Sequence, residues 1–188
     1  MPDWNERYRQ GEHTSEEPHS LVTRFASGLN PGRALDLACG AGRHAIWLAE
    51  RRWHVTAVDY SEVAINIVRE RAKASNVTID CHIANLERHE FVLEPRTYDL
   101  IVLCNYLQRD LFASIREATR IDGLVIAVIA MVDDGLDPKI KPMNPAYLVR
   151  PGELRAQFEG WELISDSEGN SGQEHRRATA EIVARRLS

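Results

Sequence analysis

The sequence has few cysteines and no long hydrophobic run. Its three cysteines, Cys39, Cys81 and Cys104, are odd in number and form no C-x-x-C pair. A disulfide-stabilised secreted fold is therefore not expected, and a cytoplasmic location is the preferred interpretation. No apolar stretch is long enough to cross a bilayer, and the first residues lack the basic and apolar regions of a signal peptide.

Two further classes of function are disfavoured by what the composition lacks. There is no basic excess, and the net charge of −5 argues against a broad nucleic-acid-binding surface. The seven histidines and three cysteines show no spacing typical of metal ligands, so no metal site is expected. What remains is a chain of 188 residues, which is enough for one domain with a sizeable core.

The stretch from Ala34 to Arg43 contains the most informative local pattern. An apolar run at 34–38 predicts a buried strand that carries one acid, Asp36, and Cys39-Gly-Ala-Gly42 then turns the chain. A helix is predicted from Arg43 to Arg52, and its N-terminus presents unpaired N–H groups and the positive end of a dipole. Strand, glycine turn and helix in this order build the nucleotide pocket of α/β proteins.

A second acid ends the next predicted strand, which covers residues 52–59. Asp59 can accept both hydroxyls of a ribose, because an ionised carboxylate carries two acceptor oxygens. Ser61 is a suitable N-cap for the helix that follows. Gly40 and Gly42 have no Cβ, so a ligand can lie against their backbone.

The rest of the chain alternates strands with helices and then changes its pattern. Further strands are predicted at 77–84, 98–104 and 122–131, the last after a tight turn at Asp122-Gly123. This alternation indicates a doubly wound parallel sheet. The proline-bearing segment 132–150 interrupts the alternation and is expected to be functional or mobile. A helix with Pro at its first position is predicted at 151–158, before two strands joined by a hairpin at 161–167 and 175–186.

The motif Asp36-x-x-x-Gly40-x-Gly42, followed by Asp59 and Tyr60-Ser61, resembles the binding region of class I S-adenosylmethionine-dependent methyltransferases. Ala38 stands where that family usually has its first glycine. The resemblance implies a Rossmann-like α/β fold with a seven-stranded sheet, whose last strand inserts antiparallel between the fifth and the sixth.

The resemblance also implies a division of the chain and a subgroup. Residues 31–188 are expected to form a single S-adenosylmethionine-binding domain, and residues 1–30 a helical arm or lid. Within the family, Trp4-Asn-Glu-Arg-Tyr8 and Arg150-Pro-Gly-Glu-Leu154 are similar to the small bacterial tellurite-resistance and thiopurine-methyltransferase-like group.

The cofactor implied by the resemblance is S-adenosylmethionine, with S-adenosylhomocysteine as its product. Asp59 is expected to bind the ribose, Tyr60 to pack on the adenine face, and Asn85 to face the adenine amino group. Asp36 either braces the glycine turn or meets the ammonium of the methionine tail. The full expected set of cofactor-binding residues is Asp36, Cys39, Gly40, Gly42, Asp59, Tyr60, Asn85, Leu86, Cys104 and Asn105.

The methyl acceptor is expected to be a small molecule, with anions among the options, rather than a nucleic acid. Asn105-Tyr106 stands where the family has the asparagine-proline motif of amino-group methylation. No general base is identified, and the residues considered for the acceptor are Tyr8, Tyr106, Arg109, His175 and Arg177.

Two other functions stay open at this point. Gly40-Ala-Gly42-Arg-His-Ala45 fits the G-x-G-x-x-A form of a nicotinamide-dependent oxidoreductase, in which Asp59 would also bind a ribose. The acid at position 36 and the antiparallel-looking ending argue against that reading. A non-catalytic S-adenosylmethionine-binding protein would share the same pocket.

Overall fold

The computed structural model describes residues 3–133, 143–169 and 177–188. The strands in these ranges are β1 (Arg33–Leu37), β2 (His54–Asp59), β3 (Ile79–Ile83), β4 (Tyr98–Cys104), β5 (Thr119–Ala130), β6 (Glu162–Gly169) and β7 (Thr179–Arg185). The α-helices are α1 (Trp4–Arg9), α2 (Ser20–Ala26), α3 (Arg43–Glu50), α4 (Glu62–Ala74), α5 (Leu111–Ala118) and α6 (Glu153–Ala156). Short 3₁₀ helices cover Leu86–Arg88 and Pro145–Tyr147.

The strands form one sheet in the order β3-β2-β1-β4-β5-β7-β6. β1 to β5 are parallel, whereas β7 runs antiparallel to both of its neighbours, β5 and β6. The prediction of a doubly wound sheet with an inserted antiparallel last strand is therefore confirmed. Because β1, β2 and β4 are parallel, their carboxyl ends lie at the same edge of the sheet, where the predicted site residues are.

The core consists of two apolar layers, one on each face of the sheet. One layer includes α5 and α6, and the other includes α2, α3 and α4. The apolar residues of β4 from Leu100 to Leu103 have no exposed surface, as expected for a strand covered on both faces. Within the described ranges, no helix is long and apolar enough to span a bilayer.

Two predicted boundaries are wrong for reasons of backbone conformation. Gly152 is left-handed, with φ of 76°, and precedes α6, so the helix begins at Glu153 and Pro151 lies outside it. The turn predicted at Asp122 lies inside β5, where the pairing with β4 shifts register and Asp122 has a φ of 63°. β5 therefore bulges at this point and does not begin there.

Candidate functional site

The turn between β1 and α3 is tied to the end of β2. The backbone N–H of Gly40 donates to Asp59 Oδ2 at 2.9 Å, and that of Cys39 donates to the Val58 carbonyl at 3.0 Å. The Ser61 N–H donates to the other oxygen of Asp59, also at 2.9 Å. The structure thus brings together the glycine turn and the acid that the sequence predicts as one site. This arrangement, formed by Gly40, Gly42, Asp59, Tyr60 and Ser61, is called the cradle below.

Asp59 is buried, and burial raises the pKa of its carboxyl, although the N–H groups of Ser61 and Gly40 act in the opposite direction. The two carboxylate oxygens together have about four acceptor positions, and the N–H groups that bond to them are those of Gly40, Ser61 and Tyr60. Asp59 can therefore hold the turn and still accept from a ligand hydroxyl.

Asp36 braces the start of helix α3. Its Oδ2 accepts from the Ala45 N–H at 3.1 Å, and burial raises the pKa of the carboxyl to about 7. The His44 ring lies beside it, with Nδ1 at 3.9 Å from Oδ1. Burial lowers the pKa of His44 to about 3, so the ring is neutral, and its Nε2 accepts from the backbone N–H of His19 at 3.2 Å. Asp36 thus braces the first turn of helix α3, and its contact with the ammonium of the methionine tail stays a prediction.

The glycines of the turn make room for protein side chains. Both are left-handed, with φ of 55° at Gly40 and 78° at Gly42. A Cβ on Gly40 would lie 2.7 Å from the Tyr8 hydroxyl, and a Cβ on Gly42 would lie 2.7 Å from Cγ2 of Val68 in α4. Gly42 therefore permits the packing of α4 against the turn, while Gly40 permits the approach of Tyr8.

Ala38, in the position of the family's usual first glycine, is also left-handed, with φ of 50°. Its side chain is half-buried and packs against the core layer that contains α5. The backbone of the glycine motif is thus kept although a Cβ is present, at a cost of about 1–2 kcal/mol for an L-residue in this conformation.

The residues after β3 and β4 lie at the same edge of the sheet. Asn85 caps the following 3₁₀ helix, because its Oδ1 accepts from the Glu87 N–H at 3.0 Å. Asn105 is exposed and left-handed, with φ of 59°. Cys104 is a buried thiol whose pKa is raised by burial, which fits a core position for its side chain.

A buried glutamine, Gln108, links these two strand ends. Gln108 Nε2 donates to the Leu86 carbonyl at 3.2 Å, and its Oε1 accepts from the Tyr106 hydroxyl at 2.7 Å. Tyr106 therefore supports the loop after β3.

Arg109 supports the chain after β5. Its Nε lies 2.6 Å from Glu153 Oε1, and its terminal nitrogens donate to the carbonyls of Ala146 and Leu148 at 3.0 and 3.1 Å. These bonds, called the Arg109 clamp below, form one wall of a cleft of about 960 Å³ beyond β4 and β5. The cleft is lined by Arg109, Val132, Pro145, Ala146, Leu148, Arg150, Pro151, Gly152 and Glu153.

Tyr8 and Arg177, which are also considered for the acceptor, are not among the residues that line this cleft. Tyr8 is buried beside Gly40, Arg177 is half-buried just before β7, and His175 lies outside the described residues. Among the described residues, no cluster of three or more His, Cys, Asp or Glu side chains could hold a metal ion.

Comparisons with solved structures agree with this fold. The structure of TehB from Haemophilus influenzae superposes with a TM-score of 0.78 at 23% identity, covering 97% of this chain and 67% of that one. An S-adenosylmethionine-dependent methyltransferase from Aquifex aeolicus gives a TM-score of 0.68 at 15% identity, with 98% of both chains covered.

Comparisons of sequence identify the family. The probable S-adenosylmethionine-dependent methyltransferase TehB of Haemophilus influenzae is 26% identical over 181 residues, covering 91% of this chain. The chain spans 60% of the length of that relative. The sequence model of the family described as tellurite resistance protein TehB matches residues 4–184. The chain therefore belongs to the TehB family.

Proposed function

We propose that the chain binds S-adenosylmethionine in the cradle and transfers its methyl group to a small molecule. The observation that carries this proposal is the pair of bonds from Gly40 N–H and Ser61 N–H to the two oxygens of Asp59. They fix an acceptor-only carboxylate beside the backbone of the glycine turn. The names of its TehB relatives support the same cofactor.

The residues of the cradle and of the two neighbouring strand ends fit this cofactor. Asp59 accepts from the ribose hydroxyls, and Tyr60, which is 36% exposed, offers its ring to the adenine. Asn85 and Leu86, at the end of β3, form the far wall for the base. Cys104 and Asn105, at the end of β4, contribute their backbone to the side where the methionine tail would lie.

The cofactor supplies an electron-poor methyl group on a positive sulfur. A nucleophile attacks the methyl carbon from the side opposite the sulfur, and the sulfide leaves. The protein contributes placement, since holding the reacting atoms close and aligned supplies much of the rate in such reactions. A soft or anionic acceptor needs no general base. The described residues that line the cleft include no histidine, and their one carboxylate, Glu153, is paired with Arg109. An acceptor that needs no general base agrees with this lining.

The cleft beside the Arg109 clamp is the proposed place for the acceptor. Its volume of about 960 Å³ lies within the range typical of small-molecule sites, roughly 300–1,000 Å³. Arg150 adds an exposed positive charge to its lining. Because the family description names tellurite, a small oxyanion is the first acceptor to test. A cytoplasmic site of action is part of this proposal, and it is supported by three cysteines without a disulfide.

The test is transfer of labelled methyl groups from S-adenosylmethionine to tellurite, a small thiol and iodide in parallel reactions. We expect label in at least one product together with release of S-adenosylhomocysteine, and loss of both in Asp59→Ala. Binding of S-adenosylmethionine without transfer to any member of a wide acceptor panel would favour a non-catalytic binding protein. Tight binding of NADH in its place would favour the oxidoreductase.

A further inference from the structure

The loop that follows β3, residues 85–90, is closed on itself by hydrogen bonds and is called the β3 loop below. The Asn85 N–H donates to Glu90 Oε2 at 2.8 Å, and the Glu90 N–H donates to the Asn85 carbonyl at 3.2 Å. Inside the loop, Asn85 Oδ1 accepts from the Glu87 N–H at 3.0 Å. A loop braced in this way moves as one piece, so its position depends on its bonds to the rest of the chain.

Gln108 connects the β3 loop to the segment after β4 from inside the protein. It is 8% exposed, and its Nε2 donates to the Leu86 carbonyl at 3.2 Å. A second connection, between His89 Nε2 and Asp110 Oδ2 at 3.4 Å, lies on the surface, where such a pair contributes little. The bond from Gln108 is shielded from water and therefore contributes more to the position of the loop.

The neighbours of Gln108 fix the direction in which its amide points. The Leu86 carbonyl and the Asp110 carboxylate, which lies 3.3 Å from Nε2, can only accept hydrogen bonds. Nε2 must therefore face them, and Oε1 faces the Tyr106 hydroxyl at 2.7 Å. Burial raises the pKa of Tyr106 well above its ordinary value, so the hydroxyl keeps the proton that it donates to Oε1. The amide donor of Gln108 is thus held on the Leu86 carbonyl before any ligand binds.

Loss of the bond from Gln108 does not leave the Leu86 carbonyl without a partner, because this carbonyl also accepts from the His89 N–H at 3.0 Å. The cost of an unpaired buried acceptor, which makes many such changes strongly destabilising, therefore does not arise at Leu86. Removing the amide should change the position of the β3 loop more than the stability of the fold.

From this geometry we propose that Gln108 is a positioning residue for the adenine base, because it holds the β3 loop where Asn85 and Leu86 meet that base. The proposal rests on the proposed function, since it takes the β3 loop as the wall of the base site. Asn85 distinguishes the adenine amino group in this arrangement, so its distance from the base decides how well the site recognises adenine. A displaced loop therefore weakens binding of adenine more than binding of an analogue that lacks the amino group.

The experiment compares two ligands by calorimetry, S-adenosylhomocysteine and S-inosylhomocysteine, in which oxygen replaces the adenine amino group. The variants are Gln108→Met, which keeps the length of the side chain and removes its hydrogen bonds, and Tyr106→Phe, which removes the hydroxyl that orients the amide. The matched control is Gln157→Met, at a half-buried glutamine after α6 whose Nε2 donates to the Glu153 carbonyl at 3.5 Å. Urea unfolding of each protein shows whether it is folded and how stable it is.

We expect the wild type to bind S-adenosylhomocysteine at least about tenfold more tightly than the inosine analogue. In Gln108→Met, binding of S-adenosylhomocysteine should weaken about 3- to 10-fold and binding of the analogue less than about twofold, so the ratio of the two affinities falls. Tyr106→Phe should lower the same ratio by a smaller factor, about 2- to 3-fold, because Nε2 can still reach Leu86. The control should leave both affinities unchanged.

The outcomes separate the role of Gln108 from the function beneath it. Unchanged affinities in Gln108→Met, or an equal loss for both ligands, overturn the positioning role and leave the function standing. A wild type that binds both ligands equally well overturns the role as well, because the β3 loop then does not recognise the amino group. If Gln108→Met does not fold, a wild-type ratio in Tyr106→Phe overturns it. A folded wild type that does not bind S-adenosylhomocysteine overturns the proposed function, and the role of Gln108 with it.

Discussion

Replacing Asp36 by asparagine should stabilise the protein without ligand, by an amount that grows between about pH 4 and pH 7 and is constant above pH 7. Asp36 is 1% exposed, and burial raises the pKa of its carboxyl from 3.8 to about 7. Between these values the folded protein holds a proton that the unfolded chain has released, so the free energy of unfolding falls as the pH rises. At 1.36 kcal/mol per pKa unit, ionisation at pH 8 costs about 4 kcal/mol, a large part of a typical domain's stability.

Asparagine keeps an oxygen for the Ala45 N–H and never ionises, so Asp36→Asn avoids this cost. Urea unfolding should therefore give nearly equal free energies for the two proteins below about pH 4. The difference should grow as the pH rises to 7, and the variant should be more stable by up to about 4 kcal/mol at pH 8. The matched control Glu70→Gln, on the exposed surface of α4, should show no such divergence. A difference between variant and wild type that does not change with pH would refute the assignment of a buried, costly charge to Asp36.

Three further changes test the turn and the clamp. Ala38→Gly should add about 1 kcal/mol to the free energy of unfolding, because glycine adopts the left-handed backbone without strain, whereas the control Ala41→Gly should add nothing. If Ala38→Gly is no more stable than the wild type, the backbone at position 38 is not strained. Gly42→Ala should lower the free energy of unfolding by about 2 kcal/mol or more, and adding Val68→Ala in the same chain should restore part of this loss. If the two changes are additive in a double-mutant cycle, the contact between positions 42 and 68 does not explain the glycine. Arg109→Ala should speed proteolysis at residues 143–150 and raise the KM for the acceptor, with little loss of stability. The control Arg185→Ala should change neither the proteolysis rate nor the KM. Equal proteolysis rates in Arg109→Ala and the wild type would show that the Arg109 clamp does not hold this segment.

The fold could be predicted from the sequence because its signals are local and repeated. The apolar run of β4 gave its bounds, Tyr98 and Cys104, without error. The predicted N-cap at Ser61 is confirmed, since its side chain accepts from the Ala64 N–H. A resemblance was needed for the position of β7, because pairing between distant strands leaves no periodic trace in the chain.

The parts of the site that could not be predicted depend on contacts between distant residues. Asn5 bonds to a residue 56 positions later, and the motif Trp4–Tyr8 that contains Asn5 does not indicate this partner. The spacing of Gly40 and Gly42 can be seen in the sequence. It does not show that a side chain from another helix lies against each glycine and leaves no room for a Cβ. The sequence predicts Arg109 as a contact for the acceptor, whereas in the structure its guanidinium binds Glu153 and two carbonyls.

The most direct test of the account is a calorimetric titration of the wild type and of Asp59→Ala with S-adenosylmethionine and, separately, with NADH. We predict one molecule of S-adenosylmethionine bound per chain, no response to NADH, and affinity at least about tenfold weaker in a variant that is still folded by circular dichroism. Equal affinity in the two folded proteins would mean that the carboxylate at the end of β2 does not hold the cofactor, and the proposed cradle would be wrong.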